Sequence, residues 1–337
     1  MKKAAKFFAF ILLIVVILSV SLWFYANNSL NQKLDVNEDI KIEIPKGTSI
    51  NGAVELLGEK VDINPNRLYK YYAKYYAKIT GKHIYAGLYK IDHNITKKEL
   101  IEALFDEDNL WTVKVTFPEG VSYTKFAEIA ENKIGINKKE FLRLCRSDSL
   151  LKSRNINAKS LEGYLMPDTY TFFMESGAGY IINVLLDNHF DFIDKFYSEI
   201  SSSRLNHHEL ITLASIIEAE TPVADERKTV SGLYHNRLRK QWQLQADPTV
   251  QYAIGEKRRL LYKDLKKMHP YNTYMISGLP PGPINNPGRA SIEAAIFPEQ
   301  HDYMYMVAVG DGSGKHNFGK DFSDHQKNIR IFRKNAR

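Results

Sequence analysis

Residues 214–227, ASIIEAETPVADER, set a glutamate directly behind an apolar run and just ahead of a Thr-Pro break. A lone carboxyl so placed suits proton transfer, the work of a general acid or base. In HHELITLASIIEAE, Leu210, Leu213, Ala214 and Ile217 recur at i, i+3, i+4 and i+7, which predicts a helix with an apolar face. Glu218 falls at the margin of that face. Glu220 lies two residues on, about 200° around the helix, so the two carboxylates are not a pair. Thr221-Pro222 ends the helix, because the residue before proline is pushed out of α geometry. Glu218 then sits in the last turn, at the negative end of the helix dipole, a setting that suits a proton donor. The plainer alternative is a solvated helix-end glutamate, and these fourteen residues alone favour it.

Three segments downstream place polar groups among turn-forming residues, the texture of a cleft. WQLQADPTVQYAIG carries Gln245, Asp247 and Thr249 around Pro248. HPYNTYMISGLPPGPINNPG carries Tyr271, Asn272, Thr273 and Tyr274 in a segment stiffened by its prolines. YMYMVAVGDGSGKHNF runs an expected buried strand (303–309) into a glycine-rich hairpin turn that delivers His316 and Phe318. No Lys-Ser/Thr pair or helix follows GDGSG, so it is not a phosphate loop. Metal binding is not expected: His207 and His208 diverge on a helix, HExxH spacing is missing and the other histidines are dispersed. The one cysteine, Cys145, excludes an internal disulfide and a multi-cysteine zinc site. There is no G-x-S-x-G element either. What remains is cofactor-free carboxyl chemistry in a rigid, aromatic and amide-rich cleft, which points to glycan cleavage.

The elements that must position this chemistry follow from the rest of the chain. FFAFILLIVVILSVSLWFYA, residues 7–26, has no charge and is long enough to span about 30 Å. Lys2, Lys3 and Lys6 precede it, while Trp23 and Tyr25 mark its far end. This predicts a single-pass membrane anchor, with the N-terminus in the cytoplasm and the remainder outside. Net charge is +7, but basic residues are interspersed with acids, so nucleic acid is not an expected partner. KIEIPKGTSINGAVELL reads as strand, turn and helix, and VKVTFPEGVSYTKFAEIA repeats the plan 73 residues later. Tyr69, Tyr72 and Tyr76 lie at helical spacing between the copies; they are either a sugar-stacking face or a helix packed on a sheet, the second being favoured. Thr96 and Glu99 form a capping box.

The order strand 41–45, helix 49–58, helix 65–80, strand 84–91 resembles the βααβ order of LysM modules, which bind N-acetylglucosamine polymers. The expected fold is α+β: a tip (1–6), a transmembrane helix (7–26), a linker (27–38), a LysM-like and connecting region (39–150) and a mixed α+β catalytic domain (151–337). Amphipathic helices are expected over 180–200 and from His207.

Taken together, LASIIEAET, ADERKTVSGLYHNRL, LQADPTVQYAIG, YNTYMISGLPPGPINNPG and HNF, in this order and spacing, resemble the endolytic murein transglycosylase family (YceG-like lytic transglycosylases). IPKGTS, AGLYKI, FPEGVS and EGYLMPDTY fit its upstream regions. The resemblance implies peptidoglycan glycan strands as substrate and Glu218 as the catalytic glutamate. It also implies that Gln245, Asp247, Tyr271, Asn272, Tyr274 and the Pro280-Pro281-Gly282 loop line the glycan cleft, with His316 added from the hairpin. Ala246 stands where threonine is common, and Gln326 follows His325 where asparagine is common. The alternatives are a lysozyme-like hydrolase pairing Glu218 with Asp247, and a non-catalytic peptidoglycan-binding scaffold of the wall-synthesis machinery.

Overall fold

Helix α1 (Lys2–Leu30) opens the chain, in a computed structural model that describes residues 2–61 and 67–336. From Lys6 to Leu30 this helix is long and apolar enough to cross a membrane, and its large apolar side chains from Phe7 to Tyr25 are exposed. It is thus compatible with a single-pass anchor. Met1, in the expected tip, lies outside the described residues.

The chain divides into two units, residues 1–113 and 114–337. The boundary expected at 150/151 falls inside a helix of the second. In the first unit, β1 (Ile40–Ile44) turns Ile40, Ile42 and Ile44 inward and its charged residues outward. It pairs antiparallel with β2 (Gly87–Ile91), Ile42 opposite Tyr89. Helices α2 (Ile50–Lys60), α3 (Arg67–Thr80) and α4 (Lys97–Ala103) complete this core with Val54, Leu57, Tyr69, Ala73 and Leu100. The expected βααβ order is present, although residues 65 and 66 of the predicted second helix lie outside the described residues. Tyr69 is buried while Tyr72 and Tyr76 pack against the core, so this tyrosine face is internal packing; Tyr71 and Tyr75 are the exposed ones. Thr96 and Glu99 close the capping box on α4.

The segment expected as a polar linker is partly taken up by this unit. Residues 27–30 extend α1, Leu30 is buried, and the Leu34 amide donates to the Ile95 carbonyl at 3.0 Å. Leu30 and Leu34 are the apolar residues that draw it in.

The second unit holds β3 (Thr112–Phe117, begun at the end of the first), α5 (Tyr123–Ile134), α6 (Lys138–Leu144), α7 (Asp148–Ser153) and β4 (Asp168–Phe173), which pairs with β3. The repeated strand–turn–helix plan is built twice: Gly47 and Gly120 take positive φ at the turns, and Ser49 and Ser122 cap α2 and α5. The single helix expected over 180–200 is two, α8 (Ala178–Ile193) and α9 (Tyr197–Ser202), separated by a 3-10 turn. Then follow α10 (His207–Glu220), α11 (Arg227–Arg239), α12 (Asp247–Ile254), α13 (Tyr262–Leu265) and α14 (Arg289–Ile296). A hairpin of β5 (Tyr305–Ala308) and β6 (His316–Gly319) precedes α15 (Phe322–Asn335). The strand expected to be buried at 303–309 is β5, which is only half-buried, because α15 covers it without enclosing it.

Candidate functional site

Helix α10 begins with a capping box, Asn206 accepting from the Glu209 amide and the Glu209 carboxylate from the Asn206 amide. Every residue from Leu210 to Ile217 is buried, because α11, α12 and α14 all pack against the helix. It is a core helix, enclosed further round than the one-sided stripe predicts. Thr221 leaves helical geometry at φ −129°, and its amide donates to the Ile217 carbonyl. Glu218 is therefore the first side chain to emerge from the core, half-buried in the last turn. Its Oε2 accepts from the Gly288 amide at 3.0 Å, at the residue that caps α14.

A second carboxyl reaches the same glycine. A Cβ built on Gly288 would lie 1.9 Å from Glu119 Oε1 and 2.0 Å from its Cδ, so the Glu119 carboxyl rests against the Gly288 backbone. The adjacent Gly120 faces Glu218, its virtual Cβ 3.4 Å from Glu218 Cγ. Partial desolvation and then the Glu218 charge push the Glu119 carboxyl above its ordinary range; Asp168 adds to this and Arg227 opposes it. Glu119 is exposed, on a cleft of about 390 Å³ shared with Pro118, Pro167, Asp168 and Arg289. The Arg289 guanidinium reaches Asp168 at 3.2 Å. Arg227 Nε is buried with no hydrogen-bond partner among the described residues.

Asn286 fastens these pieces together. Its side-chain oxygen accepts from the Gly163 and Leu165 amides (2.9 and 3.1 Å), and its Nδ2 donates to the Val121 carbonyl and to Glu162 Oε1. Its backbone carbonyl accepts from the Gly120 amide at 2.9 Å. The Glu119 turn and the Gly288 turn thus share one buried anchor. Glu162, which also accepts from the Tyr123 amide, is pushed up to about 8 by burial.

The other expected site residues fall into three groups, and among the described residues none hydrogen-bonds Glu218. The Tyr274 hydroxyl donates to Asp247 at 2.7 Å, at the first turn of α12 next to Gln245, which is exposed and held at φ 49°. Glu220 belongs with this group rather than with Glu218: enclosure pushes it up to about 7, and Asp247 adds to that, while the Tyr234 hydroxyl and Arg237 favour its charge. Tyr271 and Pro281 line a cavity of about 490 Å³ with Glu162, Tyr252 and Gly282, where the Tyr252 and Tyr271 rings lie 4.7 Å apart. The Pro281 carbonyl accepts from His208 Nε2 at 2.9 Å, leaving His208 Nδ1 to accept from the Tyr164 hydroxyl. Asn272 is buried with its Nδ2 donating to the carbonyls of Asp264, Leu265 and Lys267, so its amide is spent on holding the loop. His316 is tied to Glu226, whose two oxygens take its backbone amide and Nδ1.

The residue that sequence reasoning missed is Glu119. Its signal was an acid between Pro118 and Gly120 in a tight turn, a polar group on stiff backbone like those of the cleft segments. In the first unit Asp39, Asp92 and His93 gather, their ligand atoms within 4.8 Å of one another. All are on the surface, and hydrogen bonds from His93 and Lys90 already hold Asp39 below the usual carboxylate range.

Residues 42–331 match the family model described as the YceG-like family. A Bacillus subtilis (strain 168) protein named endolytic murein transglycosylase is 31% identical over 309 residues, 87% of this chain and 84% of that protein. A Streptococcus pneumoniae (D39) protein of the same name is 26% identical over 321 residues, of whose length the match covers 58%. The crystal structure of a yceG-like protein from Listeria monocytogenes superposes with a TM-score of 0.60 at 33% identity, covering 87% of this chain and 99% of that one.

Proposed function

Since the chain belongs to the YceG-like family, we propose that it is a lytic transglycosylase that cuts within peptidoglycan strands. It breaks the MurNAc–GlcNAc bond and leaves 1,6-anhydro-MurNAc ends. The observation that carries this reading is the Glu218 carboxyl, delivered by the last turn of a buried helix and held by the Gly288 amide beside an open cleft.

Glu218 gives its proton to the glycosidic oxygen as the bond from that oxygen to MurNAc C1 breaks. The resulting carboxylate takes the proton of the same sugar's C6 hydroxyl as O6 bonds to C1, closing the anhydro ring. Each step leaves the group in the state the next requires, so one residue serves as acid and base. The substrate's N-acetyl group stabilises the oxocarbenium-like centre in place of a nucleophilic carboxylate. The aromatic cavity at Tyr252 and Tyr271 and the surface at Gln245, Asp247, Tyr274 and His316 supply the sugar contacts, while Asn272 holds the loop between them.

Lys2, Lys3 and Lys6 before the apolar helix, and Trp23 and Tyr25 at its far end, support an N-terminus-in anchor in the cytoplasmic membrane. The catalytic unit then works outside, within reach of nascent strands, and the βααβ module adds a LysM-like hold on glycan. Cell-wall synthases are partners in this arrangement. Glu119 beside Glu218 gives the hydrolase alternative a second carboxyl that Asp247 does not supply. Mass spectrometry of products from purified uncross-linked strands separates the two: anhydro termini support the transglycosylase, and reducing termini throughout overturn it.

A further inference from the structure

We infer that residues 256–268, EKRRLLYKDLKKM, form a docking surface for an anionic phospholipid membrane. The segment holds six basic residues against two acids, a surplus of four where the whole chain has seven. Both acids are engaged inside the loop by one residue. Arg258 donates to the Asp264 carboxylate through Nη1 and Nη2 at 2.8 and 3.2 Å, and to Glu256 through Nε at 2.8 Å. Lys257, Arg259, Lys263, Lys266 and Lys267 are all exposed, and no ion pair joins any of them to a carboxylate among the described residues. These charges are presented from fixed backbone. Gln251 Nε2 donates to the Arg258 carbonyl at 2.9 Å, and Asn272 Nδ2 donates to the carbonyls of Asp264, Leu265 and Lys267.

Charge alone would make this an ordinary solvated surface, and the apolar side chains set among the lysines distinguish it. Leu261, Tyr262 and Met268 are 50%, 75% and 72% exposed. The Lys266 ammonium lies over the Tyr262 ring, 4.5 Å from its centroid. Cations beside exposed aliphatic and aromatic tips match a bilayer interface, where the lysines meet lipid phosphates and the tips enter at headgroup level. Charge complementarity thus names the occupant, and α1 supplies it, since the same chain carries a helix long and apolar enough to cross a membrane. A surface tethered to the bilayer meets it at high effective concentration, so modest contacts suffice. The segment also departs from and returns to the aromatic cavity: Tyr252 precedes it, His269 and Tyr271 follow it, and all three line that cavity. Docking therefore holds the cavity close to the membrane surface. That consequence, unlike the docking itself, rests on the glycan reading of the cavity given above.

The test uses the full-length protein in nanodiscs that contain a headgroup spin-labelled lipid, with a bimane fluorophore on Met268→Cys. Cys145, the one native cysteine, is buried and escapes labelling. Tyr197→Cys, at a position 74% exposed in the same unit, gives the baseline. In discs of about three parts phosphatidylcholine to one of phosphatidylglycerol, quenching at 268 is expected to exceed that at 197 by at least about threefold. In phosphatidylcholine alone, or with K263E/K266E/K267E, most of that excess is lost. K263R/K266R/K267R, which keeps the charge, retains it. Equal quenching at the two positions, or an excess that neither lipid charge nor the lysine reversals change, overturns the docking. So does baseline quenching at 268 together with lysine-dependent binding of soluble polyglutamate, which would assign the surface to an acidic polymer. No cleavage step enters this readout, so the docking and the proposed function fail separately.

Discussion

Glu119 and Glu218 meet at Gly288, one carboxyl accepting the glycine's amide and the other resting where its side chain would be. The glycine is there for space and not for backbone freedom, since its φ of −74° is open to any residue. Gly288→Ala would place a methyl group 1.9 Å from Glu119 Oε1, and the flexible carboxyl moves aside at little cost to folding. The expected result is a melting temperature nearly unchanged with transglycosylase activity lower by roughly ten- to a hundredfold. Full activity in this variant would mean that the Glu119 position is immaterial.

Asn286 is the anchor common to both turns. Truncating it to alanine leaves the buried amides of Gly163 and Leu165 without their acceptor and removes one of the two donors to Glu162 Oε1. A cost of about 3 kcal/mol is expected. Thermal unfolding of the Asn286→Ala protein should fall by roughly 6–12 °C. A change of a degree or less would show the hub to be dispensable.

Glu162 makes stability depend on pH in a definite direction. Burial raises its folded carboxyl from the ordinary value of 4.5 to about 8. Between these values the folded state keeps the proton that the unfolded chain has released. Its contribution therefore destabilises progressively as pH rises from 4.5 through 8. Glu162→Gln keeps an acceptor for the Tyr123 amide and for Asn286 Nδ2. Its melting temperature should exceed that of the parent increasingly toward pH 8, by a few degrees there, and the two should converge near pH 4.5. Parallel curves across this range would contradict the assignment.

Asp247 distinguishes the two cleavage chemistries. Its carboxylate accepts from the Tyr274 hydroxyl, which asparagine can also do through its side-chain oxygen. Asp247→Asn is expected to cost less than about tenfold in anhydro product formation, whereas a hydrolase using it as the second carboxylate would lose about a thousandfold. Steady-state rates on the same strands decide between them.

Local chemistry made much of this molecule legible. Alternation in IKIEI, the capping pair Thr96–Glu99 and the Thr221-Pro222 stop each appear where residue types require them. Glu218 was legible as the carboxyl leaving a buried helix, because period and breaker are both local signals. Glu119 was not, since its meeting with Glu218 depends on Asn286 joining two turns far apart in sequence, and no periodicity encodes that. Asn272 shows the opposite limit. An amide amid aromatics and prolines reads as a ligand contact, yet three backbone carbonyls of its own loop take its Nδ2. The full burial of α10 was equally hidden, as it comes from three helices that follow it in the chain.

The Glu218 carboxyl is proposed to perform a non-hydrolytic cleavage. Mass spectrometry of strands digested by the parent protein and by Glu218→Gln tests it most directly. 1,6-Anhydro-MurNAc ends are expected from the parent, and their loss by at least about a hundredfold in the variant. Anhydro ends formed at the parental rate by Glu218→Gln would contradict it.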